Sequence, residues 1–191
     1  KGRDDRNTTD RVNESMPRDT EGDWCMQPES AGRLHSEDPA RRTDGVLLGT
    51  GVYYHRSKRM ERLANLLDKP SDAAYCGDLS AKIRTAFNDK FLNKKEQYYS
   101  NNTVTANMMA LWYGMVPDEY RQGVFNNVVK KTEGDFKGHV STGLIGIQWL
   151  MRGLSEYGRP DLAFRIATNR DYPSWGYMIE NGATTIWELW N

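Results

Sequence analysis

The sequence is poor in cysteine, in histidine and in long apolar runs, and each shortage removes a class of function. No apolar stretch in the 191 residues approaches the ~18 needed to span a bilayer, so no membrane partner is expected. Charge of one sign is also missing. The 26 Lys and Arg are matched by 26 Asp and Glu, which leaves no electrostatic footprint for a nucleic acid. There are two cysteines, Cys25 and Cys76, read as unlinked thiols; two do not fix a redox compartment. The three histidines, His35, His55 and His139, are far apart and show no HExxH spacing, and the chain has no CxxC, so neither a bound metal nor a cofactor is expected. The chain starts at Lys1 rather than at methionine, so the lack of a visible secretory leader carries no information.

What is present is a helical rhythm. Residues 1–20 hold many charges and only Val12 and Met16 as aliphatic side chains, and they read as a charged loop or disordered end. From residue 43 the pattern changes. Val46, Tyr53, Met60 and Leu67 recur every seven residues, with Thr50, Leu63 and Ala64 between them, which predicts a buried face on a helix over about 44–68. Pro70 ends it, and Ser71 is placed to cap a second helix over about 72–92, marked by Tyr75, Leu79, Ile83, Phe87 and Phe91. A polar loop, 93–102, leads to a third helix over 103–115. Pro117 opens a fourth, with Tyr120, Val124 and Val128 on its buried face. Leu144, Ile147, Leu150 and Leu154 define a fifth, and Pro160 starts a sixth over about 160–169. Trp112 and Trp149 fall inside helical patterns and read as core.

The links between these helices alternate in length. Three are short proline turns, DKPSD, MVPDE and YGRPD. The others, 21–44, 93–103, 134–142 and 170–185, are long and carry Gly, Asn, Thr, Trp and His. In a row of antiparallel hairpins, long links of this kind fall on one end. Trp24, residues 101–103, residues 138–143 and Trp175 with Glu188 should therefore share one rim. Three hairpins cannot easily close a globule, which predicts an all-α fold containing about half of an (α/α)6 toroid of six hairpins. The stop at Asn191 is then read as truncation of a longer polypeptide, whose remainder would be a partner of this part. On this reading residues 21–191 are the C-terminal part of a catalytic domain.

The tail concentrates the chemistry. Residues 171–191 read DYPSWGYMIENGATTIWELWN and hold Trp175, Trp187 and Trp190 around Glu188. Aromatic faces suit the C–H surface of a sugar, and a carboxylate can orient or deprotonate a water. Each residue also has a plainer role open to it. Glu188 could cap a helix or pair with a cation. Trp24 could pack a loop rather than stack on a sugar, and Asp23 could serve a turn or cap rather than sugar hydroxyls. Trp175 could be structural, His139 could be held within the protein rather than line a pocket, and Trp187 and Trp190 could pack a last helix rather than touch substrate.

Six segments in order resemble the catalytic domain of the bacterial α-L-rhamnosidases of glycoside hydrolase family 78. They are GDW at 22–24, DPARRTDG at 38–45, AFNDKF at 86–91, YGMVP at 113–117, GHVSTGLIG at 138–146 and YPSWGYMIENGATTIWELW at 172–190. The resemblance implies an (α/α)6 toroid and inverting hydrolysis of terminal α-L-rhamnosyl linkages in glycosides or plant polysaccharides, a substrate class that suits a secreted or periplasmic protein. It assigns the general base to Glu188. It also expects a general acid upstream, in an Asp- and Arg-rich motif that contains a Glu and ends in GWxGD, and a histidine after the base. Neither is in this sequence, where Asp4-Asp5-Arg6 is only an echo. The chain alone is therefore expected to be inactive. A non-catalytic carbohydrate-binding role, or an (α/α)6 glycosidase of other sugar specificity, remain the alternatives.

Overall fold

The computed structural model describes residues 22–23, 25–28, 30, 36 and 38–190. The expected end at 1–20 and the candidate Trp24 lie outside them. Within them the chain forms α1 (Gly45–Leu66), α2 (Pro70–Phe91), a small hairpin of β1 (Leu92–Asn93) with β2 (Tyr98–Tyr99), α3 (Val104–Trp112), α4 (Asp118–Glu133), α5 (Ile147–Glu156), α6 (Pro160–Thr168) and α7 (Trp175–Glu180).

Helices α1 and α2, α3 and α4, and α5 and α6 pair as antiparallel hairpins, while α1, α3 and α5 lie side by side. Helix α3 is the centre of the molecule. Every residue from Val104 to Leu111 is buried, so the helix is covered all round, with its polar side chains Thr105 and Asn107 hydrogen-bonded within the protein. Glycines set its distance from both neighbours. A Cβ on Gly51 of α1 would collide with the Met109 thioether, and one on Gly153 of α5 would collide with that of Met108. Trp149 is buried in this core and Trp112 is half-buried.

Prolines act where the sequence placed them, with two differences of detail. Pro70 and Pro160 are the first residues of α2 and α6, whereas Pro117 is the residue before α4. Ser71 does not cap α2; Lys69 precedes the helix and gives no side-chain cap. The polar loop at 93–102 contains the β1–β2 hairpin, with Leu92 opposite Tyr99 and Asn93 opposite Tyr98. Tyr99 is buried there, donates its hydroxyl hydrogen to Asn88 at 2.5 Å, and has its phenol pKa pushed up by burial.

The heptad on α1 corrects the expected buried face. Val46 and Tyr53 pack against the core, but Met60 is 54% exposed and Leu67 69%. Helix length explains this. The 22 residues of α1 span ~33 Å and the nine of α3 only ~14 Å, so the far part of the α1–α2 hairpin extends past its neighbour. Arg84 and Asn88, two-thirds of the way along α2, already donate to the carbonyls of the turn after α3, Met115 and Val116. Tyr75, near the start of α2, is exposed for the same reason.

Candidate carbohydrate site

The N-terminal ends of α1, α3 and α5 are tied together by short-range polar bonds. The hydroxyls of Thr43, next to the Asp44 cap of α1, and Thr103, the cap of α3, meet at 2.9 Å. Asn101 donates to the carbonyls of Pro39 and Arg42 at 3.2 and 2.9 Å. Thr132 and Ser141 share a hydrogen bond of 2.9 Å across the link between α4 and α5.

Asp23 is the centre of this arrangement. It is 6% exposed. Its Oδ2 accepts from the Thr105 hydroxyl and from the Gly143 N–H at 2.7 Å, and its Oδ1 accepts from the N–H groups of Ile145 and Gly146 at 2.9 and 3.0 Å. Burial pushes its carboxyl pKa up, while these four donors pull it down, with burial the larger influence. Both oxygens are filled by protein donors. The carboxylate thus staples the segment before α5 to the start of α3, which favours the turn-and-cap role over one facing sugar hydroxyls. The sequence carries only a weak trace of this in Gly143 and Gly146, since a glycine-flanked turn can present several amides to one anion.

His139 joins the same loop to the next. Its Nδ1 lies 3.0 Å from the Pro173 carbonyl oxygen. Asn169 lies 3.1 Å from the same nitrogen. His139 is half-buried and acts as a latch between residues 138–143 and the cis Tyr172–Pro173 segment.

Beyond that segment, Ser174 caps the short helix α7 by accepting from the Tyr177 N–H at 2.9 Å. This fixes Trp175 at the first helical position, where its ring packs against Trp190 with centroids 6.5 Å apart at 41°. Residues 183–190 are not helical, so Glu188 caps no helix among the described residues, while Trp190 packs against Trp175 of α7, the last described helix. Trp175, Trp187, Trp190 and Glu188 border one depression with Val140 and Ile147. Trp175, Trp187 and Trp190 are half-buried and Glu188 is exposed. The depression encloses about 50 Å³. Enclosing small-molecule sites run to about 300–1,000 Å³, so this depression does not by itself enclose a ligand of that kind. Glu188 is the single carboxylate among its described lining residues. Ile186, which the sequence did not single out, and Leu144, expected on the fifth helix but lying exposed before α5, complete the apolar wall.

The remaining polar candidates lie elsewhere. His55 stacks on Tyr113 at 4.3 Å, and burial and Arg59 lower its pKa. No disulfide joins Cys25 and Cys76. Among the described residues no three His, Cys, Asp or Glu side chains gather as a metal site, and no helix is long and apolar enough to cross a membrane.

Residues 3–191 match the family model of the bacterial alpha-L-rhamnosidase 6 hairpin glycosidase domain. An alpha-L-rhamnosidase of Formosa agariphila is 32% identical over 170 residues, 88% of this chain and 18% of that protein. The solved alpha-L-rhamnosidase of Dictyoglumus thermophilum superposes with a TM-score of 0.79 at 33% identity, covering 90% of this chain and 19% of that one. The Streptomyces avermitilis alpha-L-rhamnosidase, solved in complex with L-rhamnose, gives 0.77 at 30%, covering 89% and 15%. The chain therefore spans less than a fifth of the relatives it matches. The described residues are about half of an (α/α)6 toroid, as three of its hairpins.

Proposed function

Because this chain belongs to the bacterial α-L-rhamnosidase six-hairpin glycosidase family, we propose that the full-length protein carrying it is an inverting α-L-rhamnosidase with Glu188 as general base. The observation that supports this reading is the shared depression, in which one carboxylate stands among three tryptophans. The rings offer apolar faces to the sugar. Glu188 takes a proton from the water that attacks the anomeric carbon, while a second carboxyl group protonates the departing glycosidic oxygen. An inverting pair stands roughly 6.5–9.5 Å apart to admit that water. The depression holds no second acid among its described residues, and we assign the proton donor to an upstream motif that this sequence does not carry. The substrate class is a rhamnose-containing glycoside or polysaccharide.

The test is release of an aryl leaving group from an aryl α-L-rhamnoside by the full-length enzyme. Glu188→Gln is expected to lower kcat by roughly 10²- to 10⁴-fold with an unchanged melting curve. Turnover within a few-fold of wild type would refute the assignment. Hydrolysis of other glycosides in preference to rhamnosides would keep the base and move the specificity, because the toroid does not set the sugar. The lone carboxylate favours a second reading for the chain by itself: it binds carbohydrate without cleaving it.

A further inference from the structure

The loop 138–143 has a second side. Val140 faces the tryptophan-lined depression, while its neighbour Ser141 lines a separate pocket of about 190 Å³. Cys25 and Met26 divide between the two in the same way. This larger pocket lies between the turn at 38–41 and the end of α4. Its floor is apolar and buried, formed by Met26, Val104 and Phe136. Its rim carries two cations, Arg41 and Lys131, and two carboxylates, Asp38 and Asp135, so the lining charge sums to zero.

The rim is pre-organised. Arg41 lies 5.2 Å over the Phe136 ring and donates to the Gln27 carbonyl at 3.3 Å. Lys131 is held 3.1 Å from Asp135. The Ser141 hydroxyl is fixed by Thr132 and that of Thr103 by Thr43, and each keeps a free lone pair or a free hydrogen. Three apolar side chains beneath a ring of mixed donors and acceptors match a pyranose, which is apolar across its C–H faces and polar around its edge. An ion would meet a balanced field and gain little.

We propose that this pocket binds a neutral sugar unit, so that the protein holds a glycan at two places on either side of the 138–143 loop. The inference rests on the carbohydrate reading above and deepens it, because a second sugar site suits an oligosaccharide or polysaccharide rather than a small aryl glycoside.

The test is a titration of the full-length protein, followed through selectively labelled amide resonances of this segment, with a neutral rhamnosyl disaccharide and with glucuronate. The disaccharide is expected to shift the amides of Arg41, Lys131 and Ser141. Asp135→Ala, which removes an exposed carboxylate outside the Glu188 depression, is expected to weaken those shifts about tenfold, the loss of one charge-assisted hydrogen bond, and to leave shifts at Trp187 and Glu188 in place. Three results would overturn the proposal. One is disaccharide binding at Trp187 and Glu188 with silence around Ser141. Another is tighter binding of glucuronate than of the neutral sugar, abolished by Lys131→Ala, which would make the pocket an anion site. The third is no shift at either place, which would remove the carbohydrate reading itself.

Discussion

The two halves of α1 sit in opposite surroundings. Its first half buries Leu47, Leu48, Thr50, Gly51 and Tyr54 and begins where three loops meet. Its second half carries Met60, Leu63 and Leu66 into solvent and ends in a three-residue turn. At the first end, buried polar groups are spent on holding loops in place, with Asp23 alone accepting four hydrogen bonds. At the second end almost nothing polar is buried. Buried polar structure is therefore concentrated at the end where the loops are fixed, and the protruding end is shaped mainly by helix formation.

That contrast can be broken experimentally, starting from the largest effect after the rate loss at Glu188. Asp23→Ala leaves three N–H groups without their acceptor, those of Gly143 and Gly146 buried and that of Ile145 partly so, and should cost about 3 kcal/mol by urea unfolding. A change below about 0.5 kcal/mol would mean that the loop end is not held this way. Next, Gly51→Leu forces a side chain into Met109 and should cost about 1–3 kcal/mol, whereas Gly49→Leu, which meets nothing within 4 Å, should be neutral or slightly stabilising. Equal losses at the two glycines would argue against close contact of α1 with α3. Leu66→Lys in the protruding half should stay within about 0.5 kcal/mol, and a larger loss would show that this half is covered.

The smallest effect is a pH dependence. Arg159 beside Asp161 holds the Asp161 carboxyl down from 3.8 to about 2. A depressed carboxylate stabilises the fold above its unfolded value, and this contribution fades as pH falls from about 4 through about 2. Asp161→Asn should thus lower the melting temperature slightly at pH 6 and match wild type at pH 2. A difference that grows on acidification would reverse the sign.

The hairpin rhythm was legible because its signals are local. Pro70, Pro117 and Pro160 mark the short turns, and four-residue spacing marks α2 down to Ile83, Phe87 and Phe91. The exposed half of α1 was not legible, because Met60 and Leu67 continue the same heptad. What changes is the length of the neighbouring helix, which no residue of α1 encodes. The tail was half legible. Trp175, Trp187 and Glu188 do border one depression, but the irregular path of residues 183–190 has no periodic signature. Asp23 was hardest, since its partners lie 82 to 123 residues away and three of the four are backbone amides, which have no residue type.

The alternation at Val140 and Ser141 sets a rule for how this protein could diverge. Side chains along the loop can be exchanged one at a time, each altering one depression and leaving the other alone. An insertion or deletion of a single residue at this point would instead turn Ser141 toward the tryptophans and Val140 toward Arg41, exchanging the linings of both sides at once. The length of this loop is thereby more constrained than its composition.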